Sequence, residues 1–520
     1  MKKIIIVGGG TAGWMTAAYL AKYRGGDNIT IIESPTIPTI GVGESVTPHV
    51  CNFFTEIGIK EHDWMAETGA VYKFANKFIN WKGNNDEQYF SFNYTVPSDN
   101  FYKDIPVNRS QEDFKDSTDK NRSIDIINKL CSNNTFDRFD KFFNPQHYYM
   151  ENNTMPYHND NFLLNQPFAH AHHINAELAG AYIRDKSALP AGVNQIIGTV
   201  KNVETSGENI TSLELDTGET LSADLYIDCT GFARILTKAL NWETKTYDTP
   251  IDSAWVCPTD YDDQKSQMVN YTKTVAEPYG WRFNIGVYHR MGNGYCYSSD
   301  YINDEDAKEY LMSKVGPTRK DPKLIKWKPG RLEKMGSGNC AAIGLSCGFI
   351  EPMEANVLYT IITSIRRLNV VLDNDVLDFD VYNEKMAHTI DDIMNFIFVH
   401  YTLSPRNDTP FWRDMQKIGI EKNHKQLVID KINNKKNTML AATQGYTLFP
   451  DYMWAQLAVS WGIDFAKISI DDVEVILAQK YFEYSEDKHK FISKQCENNY
   501  QWHRDNIFKM SRSEWENKYI

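Results

Sequence analysis

The chain lacks the long apolar runs, paired cysteine motifs and basic excess that mark several classes of protein. No stretch reaches 18 consecutive apolar residues, so we expect no membrane span. The eight cysteines show no CxxC spacing, which is typical of a reduced cytoplasmic protein. The amino end has two lysines and a four-residue apolar run, too short for a signal peptide. A net charge of −13 disfavours a nucleic-acid partner.

Internal repeats and low-complexity linkers are also missing. The 520 residues suffice for two or three domains, or for one elaborated unit with a large core. Aromatic residues make up 13% of the chain, which suits an aromatic-lined cavity or a large aromatic core. From about Asp99 to Asn165 periodicity is weak, while Asn, Asp, Ser and aromatic residues dominate. We expect an aromatic-rich insertion there, packed over the sheet or acting as a lid.

A glycine-rich turn near the start of the chain predicts a dinucleotide site. The β-branched run Ile4–Val7 predicts a buried parallel strand, and Gly8, Gly10 and Gly13 follow it with GxGxxG spacing. A helix pattern comes next, and a second apolar strand ends on Glu33. Glycines allow a pyrophosphate to approach a helix N-terminus closely, and the acidic residue binds a ribose hydroxyl. This order of features favours a dinucleotide site over a flexible loop.

Two further loops are candidates for contacting the nucleotide. One loop after the second strand consists of Gly41, Val42, Gly43 and Glu44. A surface turn is the alternative interpretation of that loop. The predicted strand Leu225–Ile227 is followed by Asp228 and Gly231. An acid and a glycine after an apolar strand suit a second backbone contact with the nucleotide.

The segment Val71–Trp81 alternates as a strand does and carries two lysines. Regular alternation places Lys73 and Lys77 on one face, beside small and apolar residues. Most such lysines extend their amines to solvent, so the pattern alone does not favour catalysis.

Three histidines, His170, His172 and His173, occur where helix periodicity returns over Phe168–Ile183. No carboxylate or cysteine stands at ligand spacing from them in the sequence, so we predict no metal site. A helix start beside the cofactor is the favoured interpretation of this segment.

Two segments in the middle of the chain shape the predicted site. Tyr279–Ser299 alternates like sheet strands around a predicted turn at Met291–Gly294. Glu351 and Glu354 then precede a helix pattern from Val357. Because the helix dipole favours anions at a helix start, simple capping also explains these two acids.

Eight motifs together resemble the flavin-dependent halogenases of the tryptophan-halogenase type. They cover most of the chain, from residue 4 to about residue 412, and are more specific than the dinucleotide fingerprint alone. In chain order they are VGGGTAGWM, IPTIGVGES, KFANKFINW, HAHHINA, DLYIDCTG, GWRFNIG with GNGYCYSS, NCAAIGLSCGFIEPMEA and HYTLSPRNDTPFW.

This resemblance implies an α/β fold, with an FAD-binding Rossmann-like module of the aromatic-hydroxylase type, a mixed sheet and a largely helical substrate-side portion. We therefore expect an FAD-binding core over residues 1–98 and 166–369, an insertion or lid over 99–165, and a helical substrate-side region over 370–520. The implied cofactors are FAD, reduced by a separate flavin reductase, and a halide ion. Such enzymes use O2 to make hypohalous acid, which halogenates an electron-rich aromatic small molecule. A homo-oligomer is left open.

The resemblance also assigns residues to the site. The reactive lysine aligns with Lys73 rather than Lys77, and the glutamate beside it aligns with Glu354 rather than Glu351. The implied flavin contacts are Gly8, Gly10, Thr11, Ala12, Gly13, Glu33, Gly41, Val42, Gly43, Glu44, Val200, Asp228, Gly231, Gly344, Leu345 and Leu358.

The implied halide site lies beside the backbone N–H groups of Asn356 and Val357, at a helix start that suits an anion. These two residues replace the family's Thr-Gly pair, and Ala355 replaces the usual serine. The family's Trp-x-Trp-x-Ile-Pro motif stands here as Trp281, Phe283 and Ile285 followed by glycine. The departures leave two alternatives open: an aromatic monooxygenase with a degenerate halide site, and a flavin-binding protein without turnover.

Overall fold

The computed structural model describes residues 2–37, 43–92, 147–158, 161–162, 170–433, 447–463 and 487–520. The expected insertion over 99–165 lies mostly outside these residues, and so do Gly41 and Val42 of the expected flavin loop. Within the described ranges, no helix has both the length and the apolar composition that a membrane crossing requires.

Strands and helices alternate in the first two thirds of the chain, and helices follow from residue 356 onward. The strands are β1 (Ile4–Val7), β2 (Ile29–Glu33), β3 (Glu44–Ser45), β4 (Val71–Lys73), β5 (Ala75–Ile79), β6 (Glu87–Ser91), β7 (Tyr157–His158), β8 (Asn161–Phe162), β9 (Ala171–Ile174), β10 (Asn194–Ile197), β11 (Val200–Ser206), β12 (Asn209–Leu215), β13 (Thr220–Leu221), β14 (Leu225–Asp228), β15 (Thr244–Thr246), β16 (Ser253–Thr259), β17 (Tyr271–Glu277), β18 (Gly280–Val287), β19 (Arg290–Tyr297), β20 (Lys323–Lys326), β21 (Gly330–Leu332), β22 (Gly336–Ser337), β23 (Cys340–Ala342) and β24 (Gly348–Phe349). The helices are α1 (Thr11–Arg24), α2 (Pro48–Glu56), α3 (Glu61–Thr68), α4 (His147–Glu151), α5 (Ala176–Ile183), α6 (Ile235–Ala239), α7 (Gln264–Gln267), α8 (Asp304–Met312), α9 (Asn356–Val371), α10 (Asp380–Thr402), α11 (Pro410–Glu421), α12 (His424–Asn433), α13 (Asp451–Ser460), α14 (Asn499–His503) and α15 (Arg512–Tyr519).

A six-stranded sheet in the order β10-β2-β1-β14-β23-β22 carries the glycine-rich turn. Its first five strands run parallel, and β22 is an antiparallel edge. Val7 at the end of β1 is in register with Ile32 on one side and Asp228 on the other. Because the carboxyl ends of parallel strands meet at one edge, the Gly8 turn and Glu33 come together there. The predicted order of β1, a helix and β2 ending on Glu33 is confirmed.

A second sheet, in the order β20-β16-β19-β18-β17-β5-β6, is antiparallel except for the β17–β5 pair. The hairpin of β18 and β19 turns at Tyr288 and His289. The predicted turn at Met291–Gly294 is wrong, because these residues lie inside β19. A Cβ on Gly294 would come within 2.2 Å of the Phe283 ring, so this glycine reflects close packing rather than a turn.

The lysine-bearing segment forms two strands rather than one. β4 belongs to a three-stranded sheet, β3-β9-β4, whereas β5 belongs to the seven-stranded sheet. The chain breaks between them at Phe74, whose N–H donates to the Asn270 carbonyl at 2.7 Å. The single alternation expected over Val71–Trp81 is therefore wrong, and Lys73 and Lys77 lie in different sheets.

The histidine segment begins as a strand. β9 pairs with β3 on one edge and β4 on the other, and these ladders satisfy its backbone. Helix α5 begins after Asn175, whose side-chain oxygen accepts from the Leu178 N–H at 3.3 Å. The helix predicted over Phe168–Ile183 is thus wrong for its first half and confirmed for its second.

The described parts of residues 370–520 contain helices α10 to α15 and no strand, which agrees with the helical character expected there. α10 is 23 residues long and packs against α9 and α11. Its buried residues join one core with those of α1, α9 and the seven-stranded sheet. The division of the chain into three domains stays a prediction.

Candidate active site

A cavity lies at the carboxyl edge of the six-stranded sheet. Helix α1 begins after Gly10 without a side-chain cap, so its first backbone amides remain available to an anion. Gly8 has a φ of +114°, and a Cβ there would come within 2.3 Å of the Cys229 carbonyl oxygen, so this turn requires glycine. The expected flavin contacts that line this cavity are Gly8, Gly10, Thr11, Ala12, Glu33, Glu44, Val200, Gly231, Leu345 and Leu358. These residues suit the dinucleotide part of FAD.

Three expected flavin contacts, Gly13, Asp228 and Gly344, line neither this cavity nor the one that adjoins it. A Cβ on Gly13 would lie 1.9 Å from the Gly8 carbonyl oxygen, so Gly13 allows the helix to pack on the turn. Asp228 is fully buried, and its carboxylate accepts from groups of the chain itself. The donors to Asp228 are the amides of Thr230, Leu236 and Thr237 and the hydroxyls of Thr230 and Ser346. Asp228 therefore organises the loop after β14.

A second cavity lies against the seven-stranded sheet and continues from the first. The residues that line both cavities are Glu44, Phe232, Leu345, Val357 and Leu358. The predicted site residues that line the second cavity alone are Gly43, Trp281, Phe283, Ile285 and Glu354. Burial raises the pKa of Glu44 to about 7, so the junction of the two cavities contains a carboxyl that is readily neutral.

Lys73 presents a fully buried amine near Glu354. Its Nζ donates to the Val46 carbonyl at 3.4 Å and lies 4.8 Å from the centre of the Phe92 ring. Burial lowers the pKa of Lys73 to about 7, while the negative charge of Glu354 opposes this decrease. Because the two protonation states are then close in free energy near neutral pH, the amine can both donate and accept a proton.

The Glu354 side chain is positioned from two directions. Its Oε2 accepts a hydrogen bond of 2.7 Å from the Nδ2 of Asn76, and its Oε1 lies 3.5 Å from the Nε2 of His400. Glu354 and Ala355 both adopt left-handed backbone conformations, with φ of +62° and +55°. Such strain is typical of functional sites. The break between β4 and β5 lets Asn76 bind the Glu354 carboxylate directly, while the Lys73 amine feels its charge.

Sequence reasoning missed Asn76 and His400 as neighbours of the site glutamate. Asn76 stands 278 residues before Glu354 in the chain, and only the fold brings the two together. Asn76 lies in the same motif as Lys73, three residues after it. This position indicates a site residue once the break between β4 and β5 is known.

Glu351 has a different environment from Glu354. It is fully buried and lines neither cavity, and its Oε1 accepts from the Trp281 Nε1 at 3.2 Å and the Tyr401 hydroxyl at 2.7 Å. Burial raises the pKa of Glu351 to about 8, although these two hydrogen bonds favour its charged form. Glu351 therefore secures the tryptophan that forms part of the second cavity wall.

The start of α9 lies where the two cavities meet. The Asn356 side chain turns back to donate to the carbonyls of Glu351 at 2.9 Å and Met353 at 2.8 Å. Val357, the next residue, lines both cavities. Because the first amides of a helix have no acceptor within the helix, this end can bind an anion. The assignment of the halide to these amides stays a prediction.

Two of the three histidines do have acidic and thiol partners, contrary to the expectation from sequence spacing. Glu61 Oε1 lies 2.7 Å from His170 and 3.2 Å from His172, and Cys51 Sγ lies 3.3 Å from His172. These partners precede the histidines by more than 100 residues, so no local spacing reveals them. His173 faces the other way, with its Nε2 2.9 Å from the Thr272 hydroxyl.

The parallel sheet and its glycine-rich turn define a nucleotide-binding fold. The adjoining cavity is lined by Glu354, whose charge acts on the buried amine of Lys73. Comparison with known proteins gives the family. The chain belongs to the tryptophan halogenase family, which it matches over residues 3–469. It is therefore an enzyme, a flavin-dependent halogenase, and both the fold and the family inferred from its motifs are confirmed.

Individual relatives support the same assignment. The chain is 33% identical over 437 residues to a 7-chloro-L-tryptophan 6-halogenase from Kutzneria sp., covering 79% of this chain and 81% of the relative. It is 31% identical to a tryptophan 7-halogenase from Lentzea aerocolonigenes, covering 80% and 79%. The structure resembles a tryptophan 6-halogenase from Streptomyces toxytricini, with a TM-score of 0.81, 26% identity and coverage of 96% and 99%. A flavin-dependent halogenase from Xanthomonas campestris gives a TM-score of 0.80, 26% identity and coverage of 96% and 97%.

Proposed function

We propose that this enzyme halogenates an electron-rich aromatic small molecule, indole-like or phenol-like, with FAD that a separate reductase has reduced. The observation that carries the proposal is the buried amine of Lys73 beside Glu354, a residue that lines the cavity next to the nucleotide cavity. Relatives named for tryptophan make an indole the first substrate to test. A cytoplasmic location belongs to the same proposal, because the reductase and its NADH are supplied there.

The first cavity would hold the dinucleotide part of FAD, against Gly8, Gly10 and Glu33. When bound, reduced FAD would supply two of the electrons that reduce O2, and a halide ion would supply the other two as it is oxidised to hypohalous acid. The amides beside Val357 would hold the halide where the two cavities meet. The second cavity then gives a small oxidant a path toward Glu354.

Lys73 and Glu354 would carry out the halogen transfer. The Lys73 ammonium donates a hydrogen bond to the oxygen of hypohalous acid, which makes the halogen more electrophilic. A ring carbon of the substrate attacks the halogen, the oxygen–halogen bond breaks, and the oxygen leaves as water with the Lys73 proton. The Glu354 carboxylate stabilises the cationic ring and accepts the proton of the substituted carbon. Transfer of that proton from Glu354 to Lys73 restores both groups.

The test replaces Lys73 with methionine, which fills the same space without an amine. We expect Lys73→Met to lower halogenated product at least 100-fold while the protein still binds FAD, because only the reactive group is lost. Lys77→Met is the matched control. Lys77 lies in β5, the next strand along the chain, and its amine forms an ion pair with Glu87 at 2.7 Å. Halogenation by Lys73→Met at the rate of the unaltered enzyme would contradict the proposed role.

The assay supplies FAD, a generic reductase, NADH and O2 with chloride, bromide or iodide. The substrate panel contains tryptophan, other indoles and phenols, and mass spectra report halogen and oxygen insertion separately. A halogenated product supports the proposal. An oxygenated product that forms at the same rate without halide would instead support an aromatic monooxygenase. Hydrogen peroxide as the sole product across the panel would indicate flavin binding without turnover.

A further inference from the structure

Four potential metal ligands converge on the three-stranded sheet, on the face opposite to the reactive lysine. His172 lies in β9 and His170 immediately precedes the strand, and in register His172 pairs with Tyr72 rather than with Lys73. Because successive strand residues point to opposite faces, these two histidines point away from Lys73. Helix α2 brings Cys51 to them and helix α3 brings Glu61. One ligand atom from each of the four side chains lies within 4.8 Å of the other three.

We propose that Cys51, Glu61, His170 and His172 form a binding site for a zinc ion. Zinc in proteins is tetrahedral, with bonds of about 2.0–2.3 Å, so its ligand atoms stand about 3.3–3.8 Å apart. Here Glu61 Oε1 lies 2.7 Å from the His170 Nε2 and 3.2 Å from the His172 Nε2, and Cys51 Sγ lies 3.3 Å from the His172 Nδ1. Only one ring nitrogen of His172 can bind the ion, and Cys51 and Glu61 contact different ones, so the Cys51 side chain or the His172 ring must rotate. One ligand atom of each of the four side chains already lies within 4.8 Å of the others, which sets the distance to be closed.

The buried histidine of this cluster points to a ligand rather than to a completed hydrogen-bond network. His172 is 0% exposed, yet its Nε2 makes no hydrogen bond within the described part of the chain. The Nε2 atom lies 3.2 Å from the Glu61 Oε1, which is short enough for a hydrogen bond, but the angle between the two groups is unfavourable. An unsatisfied buried polar atom is costly, and coordination to a metal ion removes that cost.

The surroundings of the cluster fit metal binding. The Tyr72 hydroxyl donates to Glu61 Oε2 at 3.2 Å, so Oε1 faces the histidines. Hydrogen bonds from a second shell orient the ligands of metal sites in the same way. The side chains of Glu61 and His170 are 31% and 17% exposed, so an ion has access from solvent.

The donor set selects the metal. One thiolate, two imidazoles and one carboxylate match zinc, whereas calcium and magnesium prefer oxygen ligands alone. Binding requires the Cys51 thiolate, and the thiol proton passes to solvent. Four protein ligands indicate a structural ion, which ties α2 and α3 to β9, the strand that pairs with the Lys73 strand.

The test measures metal rather than halogenation, so its outcome is independent of the proposed reaction. Full-length protein is produced without a polyhistidine tag, and elemental mass spectrometry determines its metal content as purified. We expect about one zinc per chain. After chelation, titration with Co²⁺ alone should give the near-ultraviolet charge-transfer band of a cobalt–thiolate bond.

Cys51→Ser should abolish that band and weaken zinc binding at least 10-fold. Cys496→Ser is the matched control, because Cys496 is the other half-buried free cysteine of the described residues and lies outside the cluster. Glu61→Gln, a second variant at a partly exposed ligand, should also weaken zinc binding, and circular dichroism checks that each variant folds. Protein without zinc that gives no cobalt–thiolate band, or equal zinc in Cys51→Ser and Cys496→Ser, overturns the proposal.

Discussion

Asn76 holds the Glu354 carboxylate by a hydrogen bond of 2.7 Å in a site where both residues are buried. The fixed position matters because the proposed role of Glu354 is to meet a proton on one carbon of a bound ring. A carboxylate that rotates freely would reach this position only part of the time. Asn76 is thus a positioning residue that acts through Glu354.

Replacing Asn76 with leucine should lower kcat for halogenation about 10- to 100-fold, with little change in the KM for the aromatic substrate or in FAD affinity. Steady-state kinetics and a flavin titration measure these quantities. Asn76→Asp has the same size but places a second carboxylate beside Glu354, so its pH–rate profile should shift toward higher pH. Equal kcat in all three proteins would exclude a positioning role.

Local sequence could suggest candidate residues of this site but not their geometry. Lys73 and Glu354 stand out through motifs, which carry information from a whole family. The contact between Asn76 and Glu354, and that between Cys51 and His172, join residues distant in the chain. Such contacts depend on how sheets and helices assemble, which no spacing within one segment encodes.

At the scale of elements, the start of α9 combines an uncapped helix end with a strained turn. Ala355 precedes the helix with a φ of +55°. Alanine is disfavoured there because its Cβ approaches the backbone, whereas glycine adopts this conformation readily. The turn therefore stores strain at Ala355, directly before the first amides of α9.

Ala355→Gly should stabilise the protein by about 0.5–1 kcal/mol, because it relieves the left-handed alanine. Ala387→Gly, in the middle of α10, is the matched control and should destabilise the protein by a similar amount. Denaturant unfolding measures both free energies. A loss of stability in both variants would mean that the turn is not strained.

The sequence predicted helices and strands correctly where local patterns determine the structure. It failed where pairing with neighbouring strands determines it. β1, α1 and β2 follow from apolar periodicity and glycine spacing. The strand β9 carries a histidine-rich sequence with helix-like periodicity, yet β3 and β4 on both its edges impose the extended form. Phe74 interrupts the alternation of apolar and polar residues between β4 and β5, because its N–H donates to the Asn270 carbonyl.

At the scale of the whole molecule, each large sheet contributes one cavity and the start of α9 adjoins both. Family resemblance predicted this architecture, since motifs from the six-stranded sheet, the seven-stranded sheet and α9 occur in one chain. Composition alone predicted only a large globular protein. The sizes of the cavities and their junction depend on packing between residues that are distant in the sequence. No local sequence pattern predicts them.

Stability should also depend on pH through Glu351, a fully buried carboxyl with a pKa raised to about 8. The folded state keeps the proton that the unfolded chain loses near pH 4.5. The free energy of unfolding therefore falls by about 1.4 kcal/mol per pH unit between pH 4.5 and 8 on account of this group, and levels off above.

Glu351→Gln keeps an acceptor for Trp281 and Tyr401 but cannot titrate. Relative to the unaltered enzyme, this variant should gain stability steadily from pH 4.5 to 8 and show a constant difference above pH 8. Thermal or denaturant unfolding across that range provides the measurement. A difference in the free energy of unfolding that does not vary with pH would show that the fold does not raise the pKa of Glu351.

The burial of the Lys73 amine sets a trade-off between chemistry and durability. Its pKa of about 7 in the fold, against 10.5 in the unfolded chain, means that folding opposes the charged form by several kcal/mol. Lys73→Met should therefore melt at a higher temperature than the active enzyme near pH 7, and this advantage should shrink as pH rises toward 10.5. A lysine buried in this way lowers the stability of the fold, and the same burial makes its amine reactive near neutral pH.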